Sequence, residues 1–202
     1  MRINDLFEAA QSQVVIYPGR FQPFHRGHAS VYRWLANKFD HVFIATSNKV
    51  DPPRSPFNFE EKKRMMLLAG VPASAIVQVK NPYAAEEIIS KFDPETTVVI
   101  FAVSEKDMAE DPRFQFKPKK DGSPGYLQKY GGEMQSLNKH GYVMTVPTFD
   151  FSIAGEPMRS ATELRRNFAV ADTETQAQMI KDLYGKYDPE IHRLMVSKLA
   201  PQ

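Results

Sequence analysis

Val14-Val15-Ile16-Tyr17-Pro18-Gly19-Arg20-Phe21-Gln22-Pro23-Phe24-His25-Arg26-Gly27-His28 runs an apolar strand straight into a loop of glycine, proline, arginine and histidine. Val14 to Tyr17 shows no polar alternation, the mark of a strand covered on both faces. A helix should open near Gly27 and run to about Lys38, with Val31, Trp34, Leu35 and Phe39 on its buried side. Strand, glycine-bearing turn and helix make half of a βαβ unit, and the remaining sequence supplies the other halves.

Further apolar runs at Val42 to Thr46, Ala75 to Val79, Thr97 to Val103 and Tyr142 to Val146 bring the expected strands to five. Between them lie a helix capped by Asn58 with Glu61 three residues on and ending at Gly70, and another over Ala84 to Phe92. Ser160-Ala161-Thr162-Glu163 is a second capping-box pattern, opening a helix through Leu164 and Phe168. This spacing predicts an α/β chain with a Rossmann-like, doubly wound parallel sheet of five strands and right-handed crossovers. Residues 1–170 form the expected main domain, interrupted at about 104–140 by an insert rich in Gly, Pro and Lys, where no regular element is foreseen. Residues 171–202 read as a short helical tail packed on the same domain, with Met179, Ile180, Leu183 and Tyr184 as its apolar stripe.

A chain of 202 residues, 42% hydrophobic, is long enough for one substantial core. Its 26 basic and 24 acidic side chains leave a net charge of +2, which gives no ground for a nucleic-acid partner. Lys117, Lys119, Lys120 and Lys129, interleaved with Phe114, Phe116, Tyr126 and Tyr130, carry a weaker reading of RNA binding. The absence of cysteine excludes disulfides and thiolate metal sites. Val98 to Val103 is the longest purely apolar run, far short of the roughly 20 residues that span a bilayer, and Met1 to Gln13 has no signal-like core. The expectation is a cytoplasmic protein without membrane contact, compatible with a homo-oligomer.

The chemistry concentrates where the first helix starts. His25 and His28 flank Gly27 at a helix N-terminus, where free N–H groups and the helix dipole favour phosphate. Gly19 allows close backbone approach, and Arg20 brings a permanent forked charge. Two histidines three apart could also hold a metal, but no third ligand stands near them. Neither Gly-x-x-x-x-Gly-Lys nor Gly-x-Gly-x-x-Gly occurs, so the two commonest phosphate loops are not supported.

Gly19 to His28, GRFQPFHRGH, resembles the HxGH signature of the nucleotidylyltransferase superfamily, in the form typical of archaeal-type and Nudix-fused nicotinamide mononucleotide adenylyltransferases. Arg159-Ser160-Ala161-Thr162-Glu163-Leu164-Arg165 is similar to the superfamily's second signature, ISxTxxR, with Arg159 in place of the usual aliphatic residue. Pro56 to Lys62 resembles the segment PFxxxER, whose arginine approaches the acceptor, with Lys62 in the arginine's place and Arg54 and Arg64 as substitutes.

The resemblance, covering Val14 to Phe168, implies transfer of AMP from ATP to a phosphorylated acceptor with release of pyrophosphate, nicotinamide mononucleotide giving NAD as the leading case. It implies His25, His28 and Arg165 as catalytic groups, with Gly19, Arg20, Phe21, Gly27, Ser160 and Thr162 binding the nucleotide. Phe57, Lys62 and Arg54 are implied on the acceptor side, with Mg²⁺ bound mainly through the phosphates rather than by protein ligands. Cytidylyl transfer from CTP, adenylyl transfer to another phosphorylated small molecule, and a non-catalytic nucleotide-binding protein of the same fold are the alternatives.

Overall fold

The computed structural model describes residues 12–110, 114–157 and 160–199. Arg159, singled out above, lies outside the described residues, as do residues 111–113 of the insert and most of the segment Met1 to Gln13. The first strand, β1 (Ser12–Pro18), continues through its loop into α1 (Arg26–Ala36), β2 (His41–Thr46) and α2 (Phe59–Leu68). A 3-10 turn (Ala73–Ala75) leads to β3 (Ile76–Gln78), α3 (Glu86–Ile89), β4 (Thr97–Ser104) and α4 (Glu105–Glu110). Beyond them come β5 (Leu127–Lys129), β6 (Gly141–Val146), a small hairpin of β7 (Ser152–Ile153) and β8 (Glu156–Pro157), then α5 (Ala161–Val170), α6 (Thr173–Tyr184) and α7 (Pro189–Leu199).

Six strands pair in the order β3-β2-β1-β4-β6-β5, all parallel. The sheet therefore has one strand more than the sequence predicts. That strand, β5, lies inside the stretch expected to be irregular and adds to the sheet edge by pairing Leu127 to Lys129 with Gly141 to Val143. Three residues among glycines, prolines and lysines carry no period that distinguishes a strand from a loop. The short helix α4 also falls within that stretch.

The two-residue period of the central strands divides the core. Val15, Tyr17, Val98, Ile100 and Ala102 enter one apolar cluster, while Val14, Ile16, Val99, Phe101 and Val103 enter the other. The first cluster is closed by Leu35 of α1, Met65 of α2, Phe168 of α5, Ile180 of α6 and Met195 of α7. The second is closed by Ile88 of α3 and by Phe114 from the insert. Met179, Ile180, Leu183 and Tyr184 are all buried, and Gly185, at φ 82°, ends their helix.

The helix starts follow their caps. Asn58 and Glu61 form the reciprocal capping box of α2, and Ser160 accepts from the Glu163 N–H to start α5. Helix α1 begins one residue before Gly27 because His25 acts as its N-cap. Helix α3 is shorter than the expected Ala84 to Phe92, since Ala85 adopts a left-handed conformation (φ 48°) that a helix cannot pass through.

From β1 the chain moves outward through β2 and β3, and from β4 it moves to the opposite side. Loops leaving the carboxyl ends of β1 and β4 therefore diverge and open a crevice between them.

Candidate active site

That crevice is a cavity of about 650 Å³, within the range of small-molecule sites. Its walls come from Tyr17 to Gln22 at and after the end of β1, His25, Gly27, His28 and Val31 at the start of α1, Ser104 and Asp107 at the end of β4 and beyond it, and Val146 to Phe149 at and after the end of β6. Arg54, Tyr83, Ala161, Thr162 and Arg165 complete it.

The first loop is shaped by its own aromatic residue. Phe21 takes a positive φ of 51° and folds back over Gly19, where a Cβ would meet the Phe21 ring at 2.6 Å. A side chain at position 19 would have to displace that ring, and the Gly19 N–H continues the ladder to the Ala45 carbonyl at 3.1 Å. Phe21 in turn packs edge-on against Tyr17, Phe24 and His28. Loop and histidine are thereby fixed to the core.

His25 and His28 stack, with ring centroids 3.6 Å apart and 24° between planes. The His25 Nδ1 accepts the His28 N–H at 3.4 Å, so in the neutral ring the proton resides on Nε2. Burial pushes His25 down to about 3; burial and then the neighbouring His25 push His28 well below its usual range. Both imidazoles are neutral at pH 7. The His28 Nδ1 is buried without a partner among the described residues, which leaves Nε2 as the nitrogen able to meet a ligand in the cavity that the ring lines. Gly27 has no room for a side chain, since a Cβ would lie 2.9 Å from the Phe151 ring and 3.1 Å from His25 Nδ1.

Gln22 ties the two sides of the cavity together. Its buried amide donates to the Phe57 carbonyl at 2.7 Å and accepts the Phe57 N–H at 2.9 Å, while its main-chain carbonyl accepts Arg165 Nη1 at 2.6 Å. Arg165 Nη2 reaches Thr162 Oγ1 at 3.4 Å, a long contact. Burial and then the charge of Arg20 lower Arg165 from its ordinary range, although a guanidinium remains ionised. Two like charges directed at one partly buried place are stabilised by an anion between them.

Of the residues expected at the site, Gly19, Arg20, Phe21, His25, Gly27, His28, Arg54, Thr162 and Arg165 line the cavity. Ser160, Phe57 and Lys62 are not on its wall. Ser160 spends its oxygen on capping α5, at 3.1 Å from the Glu163 N–H. Phe57 is fully buried in the core. Lys62, also buried, donates from Nζ to Thr46 Oγ1 and the Ser47 carbonyl, each at 2.6 Å, and burial lowers it to about 8. Its charge is committed to the end of β2. Arg64 pairs with Glu190 at 2.8 Å on the surface, so Arg54 alone of the three basic candidates reaches the cavity.

Tyr17, Tyr83, Asp107 and Phe149 were given no roles from sequence, because core strand, loop and cap residues of these types are common everywhere. Ser104 Oγ donates to Asp107 Oδ2 at 2.8 Å and accepts the Asp107 N–H at 3.0 Å. Burial and then the Asp107 charge raise Tyr17, which keeps its hydroxyl protonated. Among the described residues no three His, Asp or Glu side chains are grouped to hold a metal ion, and Asp107 is the one carboxylate on the cavity wall. Such a donor set suits a divalent ion carried by phosphates rather than one held by protein.

Residues 16–123 match the cytidylyltransferase-like family. The nicotinamide-nucleotide adenylyltransferase of Sulfurisphaera tokodaii is 36% identical over 53 residues, 26% of this chain and 31% of that protein. The phosphopantetheine adenylyltransferase of Oleidesulfovibrio alaskensis is 36% identical over 58 residues, 28% and 33% of the two chains. The chain thus spans about a third of the length of these curated relatives. Its fold is similar to that of a bifunctional NMN adenylyltransferase/ADP ribose pyrophosphatase from Francisella tularensis, complexed with AMP and a manganese ion, at a TM-score of 0.52 and 17% identity. That alignment covers 93% of this chain and 52% of the other.

Proposed function

Since the chain belongs to the cytidylyltransferase-like family, we propose that it moves AMP from ATP to a phosphorylated small molecule, releasing pyrophosphate, with nicotinamide mononucleotide as acceptor and NAD as product. The observation that carries this reading is the convergence of Arg20, Arg165, His25 and His28 on one cavity at the switch point of the sheet. Residues 1–170 act as the transferase unit, with residues 171–202 as a tail supporting it, in the cytoplasm.

The acceptor phosphate is already anionic, so the reaction needs position and charge stabilisation rather than a base. Neutral imidazoles suit that task. Each can donate from Nε2 to a phosphate oxygen without gaining or losing a proton, and the stacking of the rings fixes their direction. Arg20 and Arg165 take the β- and γ-phosphates, with Thr162 beside them and Gly19, Phe21 and Gly27 shaping the backbone cradle. Ser160 contributes by starting α5 at the right place. Arg54 is the acceptor-side cation, presented by the loop that the reciprocal Asp51 and Ser55 backbone bonds close at 2.8 and 2.7 Å. Phe57 and Lys62 serve that side by holding the same loop and the end of β2. Asp107 is the carboxylate on the cavity wall that would help hold a Mg²⁺ carried by the triphosphate, which would supply charge neutralisation for the pyrophosphate.

Pyrophosphate release measured for ATP and CTP, each crossed with nicotinamide mononucleotide, phosphopantetheine and sugar or polyol phosphates, tests this reading. The pair ATP and nicotinamide mononucleotide should give the highest rate, and His28→Ala should lower it about 10²-fold or more. Release with CTP alone would remove the NAD reading, and none with any pair would remove the enzyme.

A further inference from the structure

The segment after β6 passes over the two histidines before it becomes the hairpin of β7 and β8. Phe151, half-buried, packs against His25 at a centroid distance of 5.1 Å with 42° between planes, while His28 stacks against that ring at 3.6 Å. Its edge fills the space above Gly27, where even a methyl group would collide with it at 2.9 Å. Arg26 lies 6.0 Å from the centre of the same ring. Phe151 itself is not on the cavity wall.

We propose that Phe151 is a positioning residue that acts through His25, and that the hairpin following it is its anchor. His25 has little else to hold it. Among the described residues its side chain has one hydrogen bond, the 3.4 Å contact from the His28 N–H, at the long limit for such a bond. Packing against the rings of His28 and Phe151 therefore sets the direction of Nε2. The hairpin turns tightly through Ala154 (φ 50°) and Gly155 (φ 83°), buries Ile153, and is tied to α6 where Asp182 Oδ2 accepts the Ala154 N–H at 2.8 Å. A chain of contacts thus runs from α6 through the hairpin to Phe151 and then to His25.

This inference rests on the transferase reading, and its test separates the two. Phe151→Ala should lower kcat about 10-fold or more through loss of orientation. KM for ATP should change little, because Arg20 and Arg165 are untouched. Phe151→Tyr, which keeps the ring, should restore kcat, whereas Phe151→Leu should not. Asp182→Ala, at the exposed end of the anchor, should lower kcat in the same direction by a smaller factor. Equal kcat in wild type and Phe151→Ala, or full rescue by leucine, would overturn the proposal.

If the wild type releases no pyrophosphate with any pair, the transferase reading fails and the imidazole still reports on Phe151. Side-chain ¹H–¹⁵N spectra should show His25 as a single Nε2–H tautomer in the wild type and as exchanging tautomers in Phe151→Ala. An unchanged His25 ring would overturn the positioning role independently of turnover.

Discussion

Replacing Gln22 by alanine removes the joint between the first loop and the segment that enters α2. Two hydrogen bonds vanish, at 2.7 and 2.9 Å, and both of their partners are main-chain groups of Phe57, a fully buried residue. A buried backbone N–H or C=O left without a partner costs about 1–3 kcal/mol, so the pair predicts a loss of about 2–6 kcal/mol. Water admitted to the space of the lost amide moves the value toward the lower half of that range. The bond from Arg165 Nη1 to the Gln22 carbonyl is a main-chain contact and survives the substitution. Damage should therefore fall on the Phe57 side: the loop bearing Arg54 loosens and KM for the acceptor rises, while KM for ATP moves less. Urea unfolding of the two proteins at pH 7 measures the first effect, and initial rates at varied acceptor and ATP measure the second. A stability loss below about 0.5 kcal/mol with an unchanged acceptor KM would refute the reasoning, because surface substitutions without structural consequence lie in that range.

Arg54→Ala should raise KM for the acceptor about 10-fold or more with little change for ATP, as expected from losing one charge-assisted hydrogen bond; steady-state kinetics at saturating ATP checks it. Arg165→Lys keeps a charge but loses the fork that reaches Gln22 and Thr162, so kcat should fall about 10²-fold, read from pyrophosphate release. Acid should weaken the fold before its carboxylates titrate. His25 and His28 have folded-state pKa values below the unfolded value of 6.5, so the unfolded chain takes up protons first and stability falls as pH drops below 6.5, for His25 down to about 3. Allowing for its partly exposed edge, His25 alone accounts for a loss of about 1–2 kcal/mol between pH 7 and 5, and His28 adds to it in the same direction, visible as a lower urea midpoint. A midpoint that stays level or rises over that interval would contradict the burial of these rings.

The sequence makes most of the cavity wall around Gly19 to His28 legible and much less of the side around Arg54. Val14 to Tyr17 and Val98 to Val103 are apolar without interruption, which only strands buried on both faces need to be. The caps Asn58 and Ser160 are visible because the chemistry of a helix start is local. Gly19 to His28 is likewise contiguous, so its spacing announces the cradle. The double role of Gln22 is not local: its partners are 35 and 143 residues away, and no period or motif records them. Lys62 illustrates the same limit. Its place in the segment resembling PFxxxER implies an acceptor-side cation, whereas tertiary packing turns it inward to Thr46 and Ser47. Strand β5 escaped because three residues carry no period, and Phe151 because a lone aromatic in a loop resembles any other.

Incubation with ATP labelled at the α-phosphate and with nicotinamide mononucleotide follows the transferred group itself. If the account holds, label appears in the dinucleotide NAD, unlabelled pyrophosphate is released in equal amount, and both fall about 10²-fold or more in His28→Ala. Label that remains in ATP, or that is found only in free AMP, would contradict adenylyl transfer at this site.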